Sequence, residues 1–140
     1  SSLSIKYNCF DDVDAEYIQN VLLGDSNLTK LNLDGNDLSS IGLQMLADGI
    51  TYNSTLTSLS LECNSLVAGG ISGIQYLSES LKINKELTQL NLGHNKLFPA
   101  LLIFTVLFAC VHLLDKALTP VLLVLRTIIP LESNVSLPLN

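Results

Sequence analysis

The sequence holds no tryptophan, one methionine and one arginine, Arg126. Residues 1–96 therefore carry five lysines and no arginine against eleven carboxylates, a net charge of −6. Phosphate recognition needs a basic footprint, so this composition argues against a nucleic-acid partner and suits a basic protein partner better. The three cysteines, Cys9, Cys63 and Cys110, are odd in number and widely spaced. They form no disulfide framework and no C-x-x-C metal pair, which points to reduced thiols in a cytoplasmic setting. No basic-then-apolar leader opens the chain, and no initiator Met is present. A phosphate-cradling G-x-x-x-x-G-K-S/T loop and a G-x-S-x-G nucleophile elbow are both absent. Asp11, Asp12, Asp14 and Glu16 form an acidic run without EF-hand spacing. They read as carboxylates complementing a helix dipole.

What is present is a repeat. Leu28, Leu31, Leu33, Asn36 and Leu38 spell L-x-x-L-x-L-x-x-N-x-L. The string returns as Leu56, Leu59, Leu61, Asn64 and Leu66, and again as Leu87, Leu90, Leu92, Asn95 and Leu97. A partial copy, Leu3, Ile5, Asn8 and Phe10, precedes them, with its leading position falling one place before Ser1. That suggests a piece of a longer array.

In Leu31-Asn32-Leu33 the leucines alternate, so both face one side of a short strand and Lys30, Asn32 and Asp34 face the other. Behind each strand, apolar residues recur at helical spacing: Val13, Ala15, Ile18 and Leu22; Ile41, Leu43, Leu46 and Ile50; Ile74, Leu77 and Leu81. The third unit is three residues longer, and the extra length lies in the Val67–Ser72 region. No unit buries its apolar edge alone, so stacking must do it. Asn8, Asn36, Asn64 and Asn95 would form a ladder that satisfies backbone groups of adjacent coils.

This pattern resembles the leucine-rich repeat family over about residues 3–97. Its period of about 28 residues and helical second halves are similar to the ribonuclease-inhibitor-like subclass, which also supplies the sensor repeats of NOD-like receptors. The resemblance implies an α/β solenoid: a short horseshoe arc with parallel strands on the concave face and helices on the convex face. It also implies a protein-interaction module or scaffold, with no enzyme activity and no cofactor. The expected partner-binding positions are the outward strand residues: Lys6; Lys30, Asn32 and Asp34; Ser58, Ser60 and Glu62; Gln89, Asn91 and Gly93. Ser4 extends that surface, and Asp34 and Glu62 share one column as an acidic stripe. Regulation of a small GTPase would rest on fold analogy alone.

Cys63 and His94 share one repeat slot with Tyr7 and Gly35, just before the Asn. With Glu62 adjacent they leave a metal site open, but variable turn residues are the simpler reading and no metal is expected. The sequons at Asn27, Asn53 and Asn134 arise readily in a chain rich in Asn, Ser and Thr.

The pattern changes after Leu97. Leu97–Leu114 is 18 uncharged residues, apolar all round, flanked by Lys96 and Lys116. Segment 98–131 fits a membrane helix spanning 97–114, an end cap, or sequence foreign to the solenoid. The first would make the chain a membrane-anchored receptor fragment. Leu118, Val121, Leu123 and Ile128 echo the leucine positions, yet Arg126 replaces the Asn and Pro120 interrupts. Residues 132–140 read as a loose end.

Overall fold

In a computed structural model, residues 1–24 and 26–97 are described. The hydrophobic segment 98–131, with its three readings, and the 132–140 end lie outside them. The chain alternates strand and helix: β1 (Ser2–Ser4), α1 (Asp12–Leu23), β2 (Lys30–Asn32), α2 (Ser40–Thr51), β3 (Ser58–Ser60), α3 (Ser72–Ile83) and β4 (Gln89–Asn91). The four strands form one parallel sheet in the order β1-β2-β3-β4. Leu3, Leu31, Leu59 and Leu90 stand in register. Strand neighbours are thus sequence neighbours, as an α/β solenoid requires. Among the described residues, no helix is long and apolar enough to cross a membrane.

The core lies between sheet and helices. Leu28, Leu31, Leu33 and Leu38 are buried, as are Leu56, Leu59, Leu61, Leu66, Leu87, Leu90 and Leu92, together with Ala15, Ile18 and Leu22 of α1 and Leu43, Leu46 and Ile50 of α2. At the ends of the stack Ile5, Phe10 and Leu97 are half-buried and Leu3 is exposed. Two expected helix positions are corrected. Val13 is 72% exposed and Ile41 58%. Each is two residues before its helix's first core residue and so about 200° around the axis from it, on the solvent side. The third helix begins at Ser72, and the extra residues form an exposed loop with Gly69 and Gly70 at φ 83° and 122°.

The helices pack through small residues. A Cβ on Gly49 would stand 3.0 Å from Leu22 Cβ, and one on Gly73 would stand 2.3 Å from the Ser40 carbonyl oxygen. Caps also cross between coils. Asp11 closes a capping box on α1 with Asp14. Asp12, one residue on, caps α2 instead: its carboxylate accepts from Ser39 N at 2.8 Å, from Gly42 N at 2.9 Å and from the Ser39 hydroxyl. Ser40, the next copy of that slot, accepts from Gly73 N at 2.8 Å, and α3 has no side-chain cap of its own.

The asparagine ladder is present. Asn64 Nδ2 donates to Leu33 O of the previous coil at 3.0 Å and to Leu61 O and Glu62 O of its own, and its Oδ1 accepts from Leu38 N. Asn36 and Asn95 repeat the scheme. The Asn8 side chain does not: it is exposed and donates only within its coil, to Lys6 O, although its backbone N–H donates to Asn36 Oδ1. Asn64→Ala orphans several buried backbone groups and should lower unfolding stability by on the order of 3 kcal/mol. Asn8→Ala should cost under about 0.5 kcal/mol, as exposed substitutions do. Urea midpoints for the two variants check the contrast, and equal losses would refute it.

Candidate binding face

The outward strand residues form three columns. The first is Ser2, Lys30, Ser58 and Gln89; the second is Ser4, Asn32, Ser60 and Asn91. The third, just past the strands, holds Lys6, Asp34, Glu62 and Gly93. Side chains alternate across a strand, so all three share the face opposite the core leucines. Lys6, Lys30 and Gln89 are exposed, whereas Asn32, Asp34, Ser58, Ser60, Glu62 and Asn91 are half-buried. Gly93 was expected on the exposed surface and is buried.

Hydrogen bonding divides these positions further. Asp34 Oδ1 accepts from the Ser60 hydroxyl at 2.6 Å and from Glu62 N at 2.8 Å, tying the second coil to the third. Glu62 Oε2 accepts from Asn91 Nδ2 at 3.0 Å, and Oε1 lies 3.6 Å from His94 Nε2. Asn32 and Asn91 accept from the backbone N–H two residues on, Asp34 N and Gly93 N. The acidic column is therefore engaged between coils rather than held out as a bare stripe. Lys30, Ser58 and Gln89 differ, for they make no side-chain hydrogen bond among the described residues.

Tyr7, Gly35, Cys63 and His94 all sit at left-handed φ, between 53° and 65°. This turn aims each N–H at the next coil: Tyr7 N donates to Asp34 O, Gly35 N to Glu62 O and Cys63 N to Gly93 O. The slot's identity is variable, but its backbone conformation is fixed. Among the described residues no group of three or more His, Cys, Asp or Glu side chains could hold a metal ion.

One ladder escaped the motif. Asn53 and Asn84 are buried three residues before Leu56 and Leu87. Asn53 Nδ2 donates to Leu22 O at 2.9 Å while its Oδ1 accepts from Thr55 N and Leu56 N. Asn84 does the same with Ile50 O, Glu86 N and Leu87 N. Each amide thus reaches one coil back and closes the carbonyl end of that coil's helix, α1 for Asn53 and α2 for Asn84, where unpaired acceptors collect. The shared offset from the leading leucine was the available signal. In the sequence Asn53 reads as a glycan acceptor; in the fold its nitrogen is buried and donating.

Residues 24–47 and 52–74 match the family model described as Leucine Rich repeat. No curated protein matches the chain. Among solved structures 33 chains match. One is the leiomodin-1 actin-binding site 2 structure, with a TM-score of 0.66 and 17% sequence identity over 75% of this chain. The chain spans 61% of that structure, and at this identity the likeness is one of fold.

The bonding pattern separates structural from available positions. Asp34→Ala should lower stability by about 1.5–3 kcal/mol, the range for lost charged hydrogen bonds. Lys30→Ala should stay within about 0.5 kcal/mol of the parent. Thermal and urea unfolding of both variants test the division, and a larger loss at Lys30 would reverse it.

Proposed function

We propose that this leucine-rich repeat chain is a non-catalytic protein-binding module that engages its partner through the sheet face, as part of a longer repeat protein. One observation carries the reading. Lys30, Ser58 and Gln89 lie side by side on a parallel sheet, and among the described residues no hydrogen bond uses their side chains. A sheet locked by backbone ladders holds them at fixed spacing, so no backbone ordering is required on binding. Lys6 extends the available surface toward β1. A partner with acceptor groups over Lys30 and Lys6 fits this face better than the basic partner that net charge alone suggests.

Ribonuclease-inhibitor-like geometry is the assignment we favour within the repeat family, supported by 12-residue helices in all three units. A reducing, cytoplasmic compartment is also proposed, since Cys9 and Cys63 are exposed free thiols and Asn53 is closed to glycosylation.

The test compares the parent chain with Lys30→Glu/Ser58→Arg. Affinity purification with quantitative mass spectrometry should show specific partners reduced at least about tenfold, which corresponds to roughly 1.4 kcal/mol. Unfolding midpoints should stay unchanged. Undiminished recovery of every partner would sink the assignment to this face. Purified actin belongs in the same comparison, because the similar leiomodin-1 structure is described as an actin-binding site. Actin binding that survives the double variant would place that contact elsewhere.

A further inference from the structure

The charge excess does not lie where the sheet face would use it. The three helices with the N-cap Asp11 carry six carboxylates, Asp11, Asp12, Asp14, Glu16, Asp48 and Glu79, and a single ammonium, Lys82. Asp12 is turned onto the start of α2, and Glu79 pairs with Lys82 at 2.7 Å. Glu16 and Asp48 are exposed.

Apolar side chains stand on the same outer layer. Stepping by the repeat offsets places Tyr17, Met45 and Tyr76 in one slot of α1, α2 and α3. Tyr17 is 68% exposed and Tyr76 47%, and Met45 is half-buried between them in the row. One turn earlier, Val13 and Ile41 share a second slot and are also exposed. The slots on either side of the tyrosine row are polar: Glu16, Gln44 and Gln75 on one, Asn20, Asp48 and Glu79 on the other. Packing of α1 on α2 and of α2 on α3 turns these slots into rows across the layer. A solvent-facing helix row is ordinarily polar; here it is apolar with acidic borders.

We propose that this outer helix face docks a basic amphipathic helix of a protein partner, lying across α1, α2 and α3 along the Tyr17–Met45–Tyr76 row. The spacing is suitable. Packed helices lie about 8–10 Å apart, and a helix rises about 1.5 Å per residue, so successive slots meet residues roughly five to seven apart. Seven residues is close to two turns, which keeps all anchors on one face of the incoming helix. Met45 offers an adaptable thioether at the centre, and the tyrosines offer apolar rings with a polar rim. Lysines or arginines flanking the anchors would meet Glu16 on one side and Asp48 with Glu79 on the other. A second copy would present the same acidic layer and be repelled, as would an anionic lipid surface.

The test uses the full chain and a fluorescein-labelled synthetic peptide of three heptads, with leucines at every seventh position and flanking lysines. Fluorescence anisotropy should show saturable binding that weakens with added salt. A scrambled peptide of the same composition and a version with glutamate for lysine should bind at least about tenfold more weakly. Tyr17→Ser/Tyr76→Ser and Glu16→Lys/Asp48→Lys should each weaken the lysine peptide by a similar factor. Circular dichroism should confirm folding, and the two variants probe different chemistry, so loss of one fold leaves the other as a test. Lys30→Glu/Ser58→Arg should bind the peptide like the parent, keeping this outcome separate from the sheet-face reading. Failure to bind, equal binding of the scrambled or glutamate peptide, or undiminished binding to the tyrosine variant overturns the proposal. So does binding to phosphatidylserine vesicles that the tyrosine variant abolishes.

Discussion

Everything in this fold depends on how one coil satisfies the backbone of the next. A coil of about 28 residues has only short regular elements: three-residue strands and 12-residue helices. Much of its backbone is turn, and buried turns hold N–H and C=O groups with no ladder to enter. The side chains at fixed slots supply the missing partners. Asn36, Asn64 and Asn95 serve the turn after the strand. Asn53 and Asn84 serve the turn before the next strand. Thr57 and Thr88 donate their hydroxyls to Thr29 O and Thr57 O at the strand entrance. An amide can do this because it offers two donors and an acceptor at once; an ionised carboxylate has no donor and a hydroxyl has only one.

The helix layer obeys a different constraint, close approach. Parallel strands repeat every ~4.8 Å, whereas helices need about 8–10 Å. A stack with both must bend toward its strands, and any saving in helix diameter eases the bend. Gly49 at α1–α2, and Gly73 with Ser80 at α2–α3, supply that saving. Ser80 adds a tie, since its hydroxyl donates to Ala47 O at 2.8 Å and accepts from the Thr51 hydroxyl. The three-residue expansion of the third unit is tolerated because it falls in an exposed loop with nothing to displace around Gly69 and Gly70.

Much of this was legible in the sequence because leucines and asparagines at fixed offsets report burial and turn satisfaction directly. The strand register, the helix positions and the first ladder follow from that string alone. Val13 and Ile41 misled because hydrophobicity was read as burial, and a 3.6-residue period puts them on the far side of the helix. Asp12 was hidden among neighbours with the same charge; Asp11 and Asp14 cap their own helix, but Asp12 reaches across to the next one. Nor could sequence alone show that Asp34 and Glu62 are bonded between coils. It put both on the open face, and only the placement of Ser60, Asn91 and His94 shows what they meet.

That last distinction bears on function more than the fold name does. In a solenoid a polar residue in a repeating slot is suspect as a recognition residue, because the slot repeats for the sake of stacking. The useful signal is a slot whose occupants change and whose side chains the stack does not use. On the sheet side that leaves Lys30, Ser58 and Gln89, three different chemistries in one register. On the helix side the tyrosine row has the opposite character: large side chains recur in one slot, and two of the three, Tyr17 and Tyr76, are exposed. Such a row is hard to ascribe to stacking, because the packed slots beside it hold glycine and serine. The two faces differ in charge as well as in shape, with exposed lysines over the strands and exposed carboxylates over the helices. The two proposed surfaces share no side chain.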